Sequence, residues 1–235
     1  MKALEDALAA CGIDCTETVR ARFGAYMEIV LRRNKQVNLT AITDREQFVV
    51  KHFADSVLCA GFPEMSAARR IVDVGTGAGF PGIPLAIILP ERGFTLIDSL
   101  GKRVRVLEEI VARLGLQNVR LLCGRAEDLA RAASLRGAFD LCVSRAVARL
   151  PVLAEYCLPF LAVGGRLFAY KGAEVSDELA EAQRALSVLG GRVQTVREVS
   201  LEAYGLRRSI AIVEKTEETP PKYPRRAGAP ARRPL

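Results

Sequence analysis

A chain of 235 residues, 50% of them hydrophobic and 26% charged, is long enough for one large core and has the balance of a globular domain. Its longest apolar run, IPLAIIL, is too short to cross a bilayer, and Glu5 and Asp6 interrupt the start where an export signal needs unbroken apolarity. A net charge of +7 suits an anionic partner such as nucleic acid, and equally suits plain solubility.

Residues 1–65 read as a helical extension. TETVRARFGAYMEIVLRRN places Val19, Phe23, Tyr26 or Met27, and Val30 at helical spacing. A polar loop, NKQVNLTAI, follows. TDRE at 43–46 has the form of a capping box and opens a second amphipathic helix, ended by Gly61 and Pro63.

From residue 66 to 215 the pattern changes. The β-rich runs RIVDV (70–74), FTLID (94–98), VRLLC (119–123), FDLCVS (139–144) and GRLFAYK (165–171) alternate with helical stretches. Such alternation predicts parallel strands joined by right-handed crossovers, with helices on both faces. RVQTVREVSL and RRSIAIVEK are separated by too few residues for a crossover, so this last pair should be antiparallel. The expectation is an α/β fold with a seven-stranded, mostly parallel sheet. Residues 216–235 form a proline-rich tail whose last 14 residues, KYPRRAGAPARRPL, carry five Lys or Arg and no acid. It is too poor in apolar residues to fold alone. The six cysteines are scattered without a CxxC pair, which predicts free thiols in a reducing cytoplasm and no metal site.

Chemistry concentrates at DVGTGAGFPG, residues 73–82, where the first strand ends. In open α/β sheets the ligand sits over the carboxyl ends of the strands. Glycines there let the backbone approach a ligand closely. A dinucleotide loop would read GxGxxG, but this one reads GxGxG, with Phe80 where the third glycine belongs. Asp73 would repel a pyrophosphate and attract an ammonium or sulfonium group, and S-adenosylmethionine carries both. Asp98, ending the second strand, suits ribose hydroxyls in either ligand class. A dinucleotide site and a tight turn bearing surface acids remain as other readings.

VNLTAI, HFADS, DVGTGAGFPGIPLAI, TLIDSLGKRVRVLE, GRAED, VSRAVARL, AYKG and TPPKYPRRAGAPARRPL occur in that order. Together they resemble the bacterial 16S ribosomal RNA guanine-N7 methyltransferase G family, also called glucose-inhibited division protein B, from about residue 20 to the C-terminus. The resemblance implies a class I, Rossmann-like methyltransferase fold. It also implies S-adenosylmethionine contacts at Gly75, Phe80, Asp98, Ala126, Glu127 and Arg145. His52 and Asp55, three apart in the HFADS stretch and so on one helix face, would form a wall of the pocket and carry no catalytic role.

The residues agree with the implied acceptor. The fourth strand ends in SRAV and lacks the Asn-Pro-Pro-aromatic signature of amino-group methylation, and no cysteine follows a proline as carbon-5 chemistry would require. Guanine N7 has a free lone pair and no proton to remove, so no catalytic residue in the sense of a general base is expected. Lys171, Arg207, Arg208, Lys222, Arg225 and Arg226 are candidate RNA contacts, with Arg32, Arg33 and Lys35 as further candidates for a phosphate track. With no Trp and few clustered aromatics, recognition should run through backbone and shape. The implied partner is 16S rRNA in the small ribosomal subunit or an assembly intermediate, met by a cytoplasmic monomer with no membrane contact. The tail is expected to order on RNA, so its loss should harm RNA modification more than cofactor binding. A nicotinamide-dependent oxidoreductase and a non-catalytic RNA-binding protein in a methyltransferase shell are the competing classes.

Overall fold

Strand residues here are apolar on both sides, which demands cover on both faces of a sheet. In β1 (Arg70–Val74) Ile71 enters one buried cluster and Val72 the other, and in β4 (Phe139–Arg145) Leu141 and Cys142 divide the same way. The computed structural model, which describes residues 1–235, completes the sheet with β2 (Gly93–Asp98), β3 (Val119–Cys123), β5 (Leu161–Lys171), β6 (Gly191–Leu201) and β7 (Leu206–Lys215). The strand order is β3-β2-β1-β4-β5-β7-β6. The first five strands pair in parallel, whereas β7 runs antiparallel to both β5 and β6. The sequence pattern explains why β7 lies inside: Ile210 to Val213 form a continuous, fully buried run, while β6 alternates charge and apolarity as an edge strand does.

One face is covered by α1 (Lys2–Ala10), α2 (Glu17–Asn34), α3 (Arg45–Phe48), α4 (Asp55–Val57), α5 (Pro63–Ala67), α6 (Gly82–Ile88) and α7 (Gly101–Leu114). Leu4, Phe23 and Phe53 therefore share one buried cluster with Ile71 and Phe94. The other face is covered by α8 (Ala126–Leu129), α9 (Leu150–Cys157) and α10 (Ser176–Val188), joined by Tyr223. The helix α7 is amphipathic and stops at Gly115, whose φ of +63° closes the last turn through bonds to Ala112 and Val111.

Two local expectations shift. The cap before α3 is Asp44 and not Thr43, because Asp44 takes the extended conformation and accepts from the N–H of Gln47 at 2.8 Å. The following segment, Val49–Ala54, is a π-helical turn, so His52 and Asp55 do not sit one regular turn apart.

The tail is packed on the body. Arg136 donates to the carbonyls of Thr219 and Tyr223 at 2.6 and 2.8 Å, Arg131 donates to that of Pro224, and Tyr223 and Pro230 are buried. A short helix, α11 (Ala229–Arg232), rests against α9. Apolar content alone underestimates this order, since hydrogen bonds from arginines of the body to tail carbonyls supply much of the anchoring.

Candidate functional site

The glycine loop is held from below by Asp73. Its Oδ2 accepts from Gly82 N at 2.8 Å and Thr76 Oγ1 at 2.7 Å, while its Oδ1 is buried without a partner. Burial pushes the carboxyl up to about 7. Asp73 thus ties the loop to the start of α6, a use the sequence reading did not foresee. Gly75 has φ +75°, and a Cβ there would lie 2.5 Å from Val147 Cγ2. A Cβ on Gly79, at φ +104°, would lie 2.6 Å from the Tyr26 hydroxyl. That hydroxyl donates to Ala78 O at 2.7 Å, so α2 pins the loop from the helical layer.

Asp98 ends β2 and is 4% exposed. Its Oδ2 accepts from Gly77 N at 3.0 Å and its Oδ1 from Leu100 N at 2.8 Å, which joins the first and second strand tips. Ala126 and Glu127 open α8 beyond β3. Glu127 is buried and accepts the N–H of Gly228 at 2.8 Å.

Arg145 ends β4, followed by Ala146 at φ 57°, an uncommon conformation outside glycine that turns the chain so Val147 lies over Gly75. Its guanidinium faces inward. Nη1 donates to Asp55 Oδ2 at 2.6 Å and to Lys51 O at 3.0 Å, and Nη2 lies 3.3 Å from His52 Nδ1. Arg208 of β7 donates to the other oxygen of Asp55 at 2.7 Å. The Phe80 side chain is nearly buried, with its ring 4.4 Å from that of His52 and almost parallel to it. Tyr26 and Phe48 complete this aromatic cluster. Burial, aided by Arg145, lowers the His52 pKa to about 4, so the ring is neutral. With Nδ1 facing the arginine, the proton belongs on Nε2, which lies 2.7 Å from Thr40 Oγ1.

Gly75, Asp98, Glu127 and Arg145 therefore gather at the carboxyl ends of four adjacent strands, with the Phe80 backbone beside them in the glycine loop. The Phe80 side chain turns away into the core, and the Arg145 guanidinium turns inward onto Asp55 and Lys51. The cationic candidates separate. Lys171 bonds Glu178 and Ala148 O, Arg208 bonds Asp55, and Arg225 bonds Glu155. Arg32 and Arg33 both pair with Glu109 of α7. Arg207, Lys222 and Arg226 are exposed. The tail frames a cleft of about 640 Å³ lined by Arg225, Arg226, Arg232 and Arg233.

Two partners escaped the sequence reading. Val147 over Gly75 had no signal beyond its place in SRAV. Glu155 did: it is the only charge in the helix LPVLAEYC, and a lone carboxylate on an apolar helix implies a buried partner.

The strand tips around the glycine loop fit a nucleoside ligand bearing a cation. The loop backbone is open at Gly77, where a Cβ would meet nothing within 4 Å, carboxylates stand at the second and third strand tips, and beneath the loop Asp73 keeps one buried, unpartnered carboxylate oxygen. Residues 20–210 match the family profile described as GidB: rRNA small subunit methyltransferase G. A protein of an Exiguobacterium species carrying the name ribosomal RNA small subunit methyltransferase G is 46% identical over 230 residues, 98% of this chain and 97% of its own length. Another of that name from Leuconostoc citreum is 44% identical over 237 residues, covering 100% and 99%. Among solved structures, a putative O-methyltransferase from Klebsiella pneumoniae superposes with a TM-score of 0.55 at 18% identity, over 82% of this chain and 90% of its own. A ribosomal protein L11 methylase from Lactobacillus delbrueckii subsp. bulgaricus gives 0.53 at 20% identity, over 71% and 79%. These likenesses extend the fold assignment to class I methyltransferases, and the near-full-length identities decide the lineage: the chain belongs to the rRNA small subunit methyltransferase G family.

Proposed function

We infer that this protein transfers a methyl group from S-adenosylmethionine to N7 of one guanine in 16S ribosomal RNA. The observation that carries the reading is the convergence of the glycine loop, Asp98, Glu127 and Arg145 on one rim in a chain of this family. When bound, S-adenosylmethionine supplies an electrophilic methyl on a sulfonium centre. Gly75 and the backbone at Phe80 would line its approach, Asp98 would accept from the ribose hydroxyls, and Ala126 with Glu127 would meet the adenine edge. Arg145, tied to Asp55, stiffens the fourth strand tip.

The guanine N7 lone pair displaces the thioether in line, so a carbon–nitrogen bond forms as a carbon–sulfur bond breaks. No proton moves, and the chain needs no base: His52 is neutral, half-buried and occupied by Thr40. The rate gain comes from alignment and exclusion of water. Arginine usually reads guanine through O6 and N7 together, but N7 must stay open here, and Arg145 already spends its donors inside the protein.

The RNA phosphates meet Arg207, Lys222 and Arg226, which are exposed. Lys171, Arg208 and Arg225 serve the frame beneath and reach a phosphate only by leaving carboxylate partners. The substrate form is the small subunit or an assembly intermediate, and the enzyme acts as a cytoplasmic monomer, its helical layer and tail flanking the methyltransferase domain. Small subunits from a strain lacking this activity, incubated with labelled S-adenosylmethionine and cleaved after reduction, test the reading. One N7-methylguanine in 16S rRNA is expected; label at a base amino group or at carbon-5 would refute it.

A further inference from the structure

Glu155 is fully buried in α9, and one tail residue satisfies it. Its carboxylate accepts from the Arg225 backbone N–H at 2.7 Å, from Nε at 3.0 Å and from Nη2 at 2.6 Å. A buried carboxylate persists only when its oxygens are filled, so this contact fixes where residue 225 lies. Three residues on, Gly228 at φ +80° turns its N–H onto Oε1 of Glu127, the one hydrogen bond that carboxylate makes. Arg136 and Arg131 hold the carbonyls upstream, and Pro230 is buried downstream. The segment is thus secured on either side of its contact with the third strand tip.

We propose that residues 219–230 are a working part of the cofactor site. Arg225, locked on Glu155, sets Gly228 against Glu127 and keeps that carboxylate oriented for the adenosine half of S-adenosylmethionine. Glu155 and Arg225 are positioning residues. The proposal rests on the reading of Glu127 as a cofactor ligand. With the strap in place the carboxylate is shielded and fixed before the ligand arrives. Without it, Glu127 is solvated and free to turn, and binding must bear the cost of ordering it. The tail then matters to the cofactor as well as to RNA, against the expectation from its charge alone.

Full-length Arg225→Ala, Arg225→Lys and the double variant Glu155→Leu/Arg225→Leu test this. The double variant removes both charges together, so no unpaired buried carboxylate is left to unfold the protein. Hydrogen exchange at the amides of Tyr223 and residues 225–229 reports release of the strap, and calorimetry with S-adenosylhomocysteine reports the pocket. Faster exchange with an affinity loss on the order of tenfold is expected for Arg225→Ala and the double variant, with Arg225→Lys between them and the parent. A freed strap with unchanged affinity overturns the proposal, and so does a strap that stays protected when Arg225 is replaced. Glu127→Gln separates the two ideas. If it leaves affinity untouched, the ligand reading fails whatever the strap does; if it weakens binding while freed straps do not, the strap alone fails.

Discussion

Arg145 at the tip of β4 and Asp55 at the start of α4 form a buried ion pair, with Nη1 2.6 Å from Oδ2. Asp55 is wholly enclosed, and Arg208 fills its second oxygen. The pair bolts the helical layer to the rim of the sheet. Arg145→Ala leaves Asp55 half-paired in the interior. Its stability should fall by about 3 kcal/mol, or roughly 6–12 °C in Tm, with cofactor affinity falling too. Thermal unfolding and calorimetry on one preparation check both; an unchanged Tm would remove the structural role.

Gly75 answers to two constraints, its positive φ and the Val147 methyl above it. Gly75→Ala should reduce S-adenosylmethionine affinity by more than about tenfold, since the backbone strain costs about 1–2 kcal/mol before the steric overlap is counted. Adding Val147→Ala relieves the overlap and leaves the strain. Partial recovery in the double variant, read by calorimetry, is the expected outcome.

His52 makes stability depend on pH. Its unfolded ring titrates near 6.5 and its folded ring near 4, so the unfolded chain binds the extra proton between those values. This contribution is present above pH 6.5 and is lost as pH falls towards 4, about 3 kcal/mol in all. Asp73 acts in the opposite sense: its folded value near 7 exceeds the ordinary 3.8, so its share of stability grows as pH falls through 7. The parent and His52→Gln should therefore differ most near neutrality and converge towards pH 4. Urea unfolding at pH 4, 5.5 and 7 measures this, and a difference independent of pH would contradict it.

Exposed positive charge should appear in the salt dependence of RNA binding. Neutralising Arg207, Lys222 or Arg226 is expected to weaken binding and reduce the log–log salt slope by about one for each phosphate no longer neutralised. Arg32→Ala should leave the slope alone, because its partner is Glu109. Filter binding across a salt series distinguishes them.

The strands were legible because their apolar runs are short, β-branched and bounded by turns; β1 and β3 fall on the residues expected. The antiparallel end was legible from the short link at Gly205. The π-helical turn was not: nothing in VVKHFA distinguishes it from an α-helix, and it is there that His52 and Asp55 come to face Arg145. Positions at the strand tips followed from the fold, but side-chain direction did not. Phe80 was expected to contact the cofactor, and its ring packs among Tyr26, Phe48 and His52. Periodicity sees one element at a time, whereas that packing depends on elements about thirty to fifty residues apart. The tail misled for a related reason, since its partners Arg136 and Glu155 lie in distant helical and loop segments.

Titration of the purified protein with S-adenosylmethionine, S-adenosylhomocysteine and NADH, in parallel and at equal salt, bears most directly on what the pocket holds. Saturable one-to-one binding of both sulfur compounds, lost in Asp98→Ala, with no heat from NADH, is the expected result. Indifference to the sulfur compounds, or tight uptake of the dinucleotide, would contradict it.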